Sequence, residues 1–562
     1  MHEQQTIPSL MQDPHTTQTP PQENLFSLKK SILWSLPVFA VVLMRLPYMG
    51  LITMNSDEGL YAAVARAMQN GGLPYKHAWD HAAPGIFNIY WILFAIFGKW
   101  NMDAVRIMAL FAHTLSALVV SNDMKRRYGS VAGSVAGVLT AIAIGCYLPA
   151  DVIAALTETF LLPPLLAAAV LLFSWSEGGK SRPILTAILI SLAIWFKIHA
   201  VHISILLLGG ALLARWINGL LKPRDFLIPL KILTYAGLVY LVLILPIILR
   251  GGFGSYWDMY IRYNIFYMNV GTYSDGFLFG LYRTVSQWIY PQFVVFILGL
   301  IGIWRLAKST SPMQGRGVMM VCVLIGSFFV ALAGGRLFGH YFIPAAAFYG
   351  WIAGEGFVFL QGVLREKTFQ SKKVITVSGI ILLIAGLLFP VHFFHGNAYR
   401  MRMYMVQNNI KVGHKFTKLA KKIQEVTNPK DKIWVWGFAP EIYIDSKRDC
   451  SSRFINCNYL VGLIPWVNVD PAEDTSDLAV PGSWTKLRED LTSDPPMVIV
   501  DAAAANYQFW GKYPLTTRPT LKRFIESNYR RLGEFDKFHL YLRFDDTKAG
   551  SEKHDNSILG GK

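Results

Sequence analysis

Between residues 31 and 393 the chain is a succession of apolar runs, most of them long enough to cross a lipid bilayer. They lie near 31–52, 104–122, 130–149, 153–174, 183–199, 201–217, 227–249, 290–305, 317–334, 341–362 and 374–393. A spanning helix needs about 20 residues, so a chain built this way folds as a helical bundle in a membrane. Composition points the same way: 53% of the 562 residues are hydrophobic and only 16% are charged, where a soluble domain is about a quarter charged. A disordered chain, a collagen and a disulfide-dense secreted module are excluded.

The 53 Lys and Arg outnumber 36 Asp and Glu, for a net charge of +17. In a soluble protein this balance points to nucleic acid. In a multipass protein it reflects basic cytoplasmic loops, and no nucleic-acid partner is expected. The clusters are Lys125-Arg126-Arg127, Lys180/Arg182, Arg215/Lys222/Arg224, Arg305/Lys308/Arg316 and Arg365/Lys367/Lys372/Lys373. All fall on the side of Lys29-Lys30 if the short aromatic run 84–98 lies in the interface or re-enters. That arrangement predicts about eleven spans in the cytoplasmic membrane with the C-terminus outside. The tight pair 183–199 and 201–217 requires a sharp break around His199 and His202.

Three regions follow. Residues 1–30 are polar and rich in Gln, Thr and Pro, the composition of a disordered cytoplasmic tail. Residues 31–395 form the transmembrane part. Residues 396–562 read as a small extracytoplasmic α/β domain, with helices over 414–426 and 521–529 and strands over 431–438, 495–502 and 538–544. Cys450 and Cys457 lie close in this region. Two buried thiols or a disulfide fit the spacing, with the thiols preferred because spacing does not fix geometry. No internal repeat is visible.

With that topology, several polar residues share the outer face. Asp57-Glu58 follow the first apolar run directly. Adjacent carboxylates at a membrane surface are costly and usually have a task. Ser56 or Asp57 capping a 58–70 helix is the competing explanation, and the two can coexist. Asp151 begins another apolar run, and Glu158, inside it, needs a partner or a cavity. Lys197, His199, Arg250, Arg262, Arg336 and His340 add positive charge, with a tyrosine-rich stretch at 256–273. Such cations usually snorkel or cap, but several on one face can bind phosphate.

The stretch SDEGLYAAVARAMQNGGLPYKHAWDHAAPG resembles the first outer loop of GT-C glycosyltransferases, in particular the family of protein O-mannosyltransferases, the lipid A aminoarabinose transferase and RgtA-like enzymes. Its elements are Asp57-Glu58, Tyr61, Gly71/Gly72 with Tyr75, and His81-Ala82-Ala83-Pro84 where many relatives carry Lys-Pro-Pro. GRLFGHYFIP (335–344) resembles a later motif, and 435–454 the outer C-terminal domain. The resemblance implies an α-helical multipass GT-C-like fold and inverting transfer of a sugar from a polyprenyl-phosphate donor to a lipid, glycan or protein acceptor. It implies Asp57 as general base or acceptor-orienting group, with Glu58 beside it as the second catalytic candidate. Asp151 is the second acidic position, where some members take a divalent metal. Lys197, Arg336 and His340 are candidates for the donor phosphate, and Tyr61, Tyr75 and His81 belong to the acceptor or loop. A multipass solute transporter and a non-catalytic assembly subunit are the alternatives.

Overall fold

The structure is a computed structural model that describes residues 30–49, 55–145, 154–270, 276–309, 313–333, 335, 337–366, 372–408 and 414–544. Among them, seven helices are long and apolar enough to cross a membrane, and four shorter apolar helices accompany them. The chain is an α-helical multipass membrane protein with a small C-terminal sheet domain. Apolar side chains face outward along these helices, as at Leu230, Leu233, Leu241 and Val242 of α9 (Leu227–Leu249), where lipid rather than water is the solvent.

The bundle is built from α1 (Lys30–Arg45), α4 (Met102–Tyr128), α5 (Ser130–Gly145), α6 (Thr157–Ser176), α7 (Pro183–Phe196), α8 (His199–Ile217) and α9. After a short helical stretch with a π segment, Trp257–Arg262, come α10 (Phe277–Ile289), α11 (Phe293–Lys308), α12 (Met313–Leu332), α13 (Ile343–Glu366) and α14 (Lys372–Gln407). Between α1 and α4 lie α2 (Ser56–Gln69) and α3 (Pro84–Phe97). At 14 residues, α3 is about 21 Å long, short of the roughly 30 Å hydrocarbon layer. The expected break in 183–217 falls at Lys197–Ile198, between α7 and α8. Helices pack closely where small residues allow it: a Cβ at Gly302 of α11 would sit 2.0 Å from the Ile352 carbonyl oxygen of α13.

The expected boundary at 395/396 falls inside α14, which runs on to Gln407. The polar stretch GNAYRMRMYMVQ holds no proline, and its good helix formers let the helix continue past its apolar part. The C-terminal sheet domain is described from His414. Its sheet has the order β1-β2-β4-β3, with β1 (Ile433–Trp436) parallel to β2 (Val498–Asp501), and β4 (Phe538–Arg543) antiparallel to both β2 and β3 (Tyr529–Phe535). Strands β1 and β2 are fully buried, hence their unbroken apolar runs. Asp536 and Lys537, both at positive φ, close the β3–β4 hairpin. Cys457 Sγ contacts the Val435 carbonyl and Cys450 Sγ the Tyr443 hydroxyl, both at 3.3 Å.

The domain sits on α2. Arg66 makes two bonds to Asp449, at 2.9 and 2.8 Å, and Trp79 packs on Phe454 at 4.8 Å. Gly59 permits this approach, since a Cβ there would lie 2.8 Å from the Pro440 carbonyl carbon.

Candidate active site

Three consecutive residues in the first turn of α2 face three directions, because each helical step turns about 100°. The Ser56 hydroxyl donates to Glu441 Oε1 in the soluble domain at 2.8 Å. Glu58 points into the bundle, fully buried, where Arg106 donates to it at 2.8 and 3.2 Å and the Ala155 N–H at 3.1 Å. Asp57, between them, lines a cavity of about 450 Å³. The helix is capped by neither Ser56 nor Asp57. Asn55 holds the cap, its side-chain oxygen accepting from the Asp57 N–H at 2.9 Å.

Asp80 joins Asp57 on this wall. One of its oxygens accepts from the Ala82 N–H at 2.6 Å, and the other is buried without a partner. Burial, helped by the Asp57 charge, pushes its carboxyl up to about 7 against the Ala82 bond. Tyr61 lies close to both acids; burial foremost, then the charges of Asp57, Asp80 and Glu158, raises its phenol well above the usual value.

Lys197 and His340 line the same cavity. Lys197 closes α7 in an extended conformation, which turns its side chain out of the helical register. Its ammonium lies 2.6 Å from Glu158 Oε1 and 4.4 Å from the centre of the Tyr341 ring. The Thr157 hydroxyl holds the other Glu158 oxygen at 2.8 Å. His340 stacks on Phe338 at 5.8 Å and meets Tyr341 edge-on at 4.8 Å.

No family model and no curated protein matches the sequence. Solved structures do match its fold. ArnT from Cupriavidus metallidurans bound to undecaprenyl phosphate superposes with a TM-score of 0.56 at 12% identity, covering 93% of this chain and 100% of that one. The archaeal oligosaccharyltransferase AglB from Archaeoglobus fulgidus, in complex with an inhibitory peptide and a dolichol-phosphate, gives 0.52 at 13% identity, over 93% and 75%. The chain shares the fold of these two structures, as the sequence resemblance implied.

On this frame, Asp57, Tyr61, His81, Lys197 and His340 come together around one cavity. Glu58 and Tyr75 do not line it. Glu58 is turned inward by its helical position and taken up by Arg106. Tyr75 is fully buried, and its hydroxyl donates to the Ala82 carbonyl at 2.8 Å, holding the loop that carries Asp80 and His81. Asp151 and Arg336 lie outside the described residues. Among the described residues no three His, Cys, Asp or Glu side chains gather as a metal site would require. The sequence reading singled out neither Asp80 nor the Lys197–Glu158 pairing. For Asp80 the signal was present: like Asp57, it is an acid beside the start of an apolar helix.

Proposed function

We propose that this chain is a membrane glycosyltransferase that moves a sugar from a polyprenyl-phosphate donor to an acceptor, inverting the anomeric centre. The observation that carries the proposal is the cavity itself: two carboxylates, Asp57 and Asp80, line it together with Lys197 and His340, and residues of the C-terminal domain complete it. The fold supports it, since the solved GT-C proteins above were captured with undecaprenyl phosphate and dolichol-phosphate.

In this mechanism Asp57 takes the proton of the acceptor hydroxyl. The acceptor oxygen bonds to the anomeric carbon from the face opposite the phosphate. The old carbon–oxygen bond breaks, and its electron pair leaves on the prenyl phosphate. Lys197 and His340 meet the charge that develops there. Glu158 fixes the Lys197 ammonium, which keeps donors for the phosphate. Asp80, holding its proton up to about pH 7, donates a hydrogen bond to a substrate hydroxyl. Donor phosphate binding extends to Arg336, and the second acidic position to Asp151. The site faces the outside of the cytoplasmic membrane, so the prenyl chain lies along the apolar bundle while the soluble domain covers the sugars.

The test supplies membranes containing the protein with labelled prenyl-phosphate sugars and follows label into acceptors. Wild-type protein consumes the donor and Asp57→Asn does not. A wild type that consumes no donor overturns the proposal. Reporter fusions after residue 127 are expected to read cytoplasm and after residue 400 outside; a cytoplasmic C-terminus removes the soluble domain and site from the outer face.

A further inference from the structure

One side of the cavity is left unused by proton and phosphate chemistry. The soluble domain contributes Asn456, Asn458 and Tyr459 to the lining, and the membrane part adds His81, Tyr263 and Asn264. The rings form a continuous edge: His81 lies 5.3 Å from Tyr263, and Tyr263 meets Tyr459 edge-on at 4.9 Å. The amides are set among them. Asn264 Nδ2 donates to the His81 carbonyl at 2.8 Å, and Asn456 Oδ1 accepts from the Asn458 N–H at 3.2 Å. Asn458 differs from both: its residue is only 9% exposed, and its buried Oδ1 has no hydrogen-bond partner.

A buried amide oxygen without a partner costs free energy that a ligand's donor would restore. The ligand chemistry follows from the groups present. A neutral amide offers one acceptor and one double donor, the complement of sugar hydroxyls, which both donate and accept. An aromatic ring covers the apolar C–H face of a pyranose. An anionic group buried here would lose its hydration with no counter-charge. Among the described lining residues the lysine or arginine is Lys197, and it is paired with Glu158 on the other wall.

Resting on the transferase reading above, we propose that this amide–aromatic face is the acceptor subsite and that the acceptor is a neutral saccharide. Its hydroxyls bond to the Asn458 amide, its ring stacks on Tyr263, and one hydroxyl is presented to Asp57. The donor occupies the opposite side, where the cations are.

Saturation-transfer NMR on the full-length protein in detergent tests this without turnover. The probes are methyl glucopyranoside, methyl mannopyranoside, glucuronate, glucosamine and glucose 6-phosphate. A neutral glycoside is expected to give saturation transfer that persists when undecaprenyl phosphate is added. The charged sugars are expected to give none. Asn458→Ala and Tyr263→Leu, each checked by thermal unfolding, should weaken the neutral glycoside by about fivefold, the scale of one lost hydrogen bond or ring contact. Charged sugars binding as well as neutral ones overturns the proposal, as does a signal that survives both substitutions. So does a signal that undecaprenyl phosphate removes, which would make the face part of the donor site. Donor consumption, measured separately, keeps the outcomes apart: a protein that consumes donor but binds no neutral glycoside loses the acceptor assignment alone.

Discussion

The two ends of the helical bundle use charge in opposite ways. At the end carrying the basic clusters, cations are closed on acids. Arg127 reaches Glu177 at 2.5 Å and Asp123 at 3.5 Å, Arg316 pairs with Asp123, Arg305 lies 3.2 Å from Glu355, and Arg215 lies 3.0 Å from Asp225. These groups belong to α4, α6, α8, α11, α12 and α13 or the turns beside them, so the pairs fasten helix ends together. At the cavity end, Asp80 keeps a buried oxygen with no partner, and Asp57, Lys197 and His340 line one open space, with Lys197 held 2.6 Å from Glu158. Charges closed on each other inside the bundle fix structure, while charged groups set around a cavity can be reached by a substrate. The contrast also revises the loop-charge argument. Arg127, Arg215, Arg305 and Arg316 are spent in ion pairs, so the orientation signal rests on the remaining lysines and arginines of those clusters.

The largest expected effect tests the fastened end. Arg316 is fully buried and stacks over Phe173 at 4.4 Å. Arg316→Ala leaves Asp123 with only the 3.5 Å contact to Arg127, and losing one partner of a buried pair costs up to about 3–5 kcal/mol. Thermal unfolding in detergent should record that loss, while transfer per folded molecule stays normal. Lost transfer at unchanged stability would erase the distinction between the two ends.

Asp57→Asn is the mirror experiment. Turnover should fall about 100-fold or more, the low end of what a general base contributes. Asn keeps most of the hydrogen bonding and Asn55 supplies the cap, so the unfolding temperature should not move. Transfer as fast as wild type would pass the base role to Asp80.

What the sequence made legible follows from the range of the interactions involved. The spanning helices depend on local hydropathy and are readable run by run, as is a break between the two apolar stretches, though it falls at Lys197–Ile198 rather than around His199 and His202. Buried β1 and β2 are readable for the same reason. Strand β3 is not: YRRLGEF is an exposed, charged edge whose pairing to β4 comes from the hairpin at Asp536-Lys537. Asp57 stands out because a carboxylate beside an apolar helix is costly. Glu58 shares that signal and differs only by a step around the helix, which decides between cavity and Arg106. The burial of Asp80 depends on the soluble domain and the Tyr256–Tyr263 stretch packing over its loop, contacts far removed in sequence.

A smaller effect sharpens the cavity end through pH. The Asp80 carboxyl, raised from 3.8 to about 7, binds its proton more tightly folded than unfolded. Its contribution to stability is therefore full below about pH 4 and gone as pH rises above about 7. If the protonated form donates to substrate, kcat/KM should fall about tenfold per pH unit well above 7. Asp80→Asn, which keeps a donor, should flatten that limb. A limb that persists in Asp80→Asn belongs to another group.

The smallest effect separates the two explanations for the acids of α2. Asn55 accepts from the Asp57 N–H and so anchors the turn from which Asp57 projects. Asn55→Ala removes the cap, worth about 1 kcal/mol. The turn has other anchors: Ser56 on Glu441, Glu58 on Arg106, and Arg66 on Asp449. They should hold the loss of stability near that value. Asn55→Asp restores the acceptor oxygen but adds a charge beside Asp57, so it should rescue the unfolding temperature while shifting the pH dependence of transfer. If instead Asn55→Asp restores stability and leaves the pH profile untouched, the ionisation of Asp57 does not govern turnover. The cavity end would then be, like the other, an arrangement of charge for structure alone.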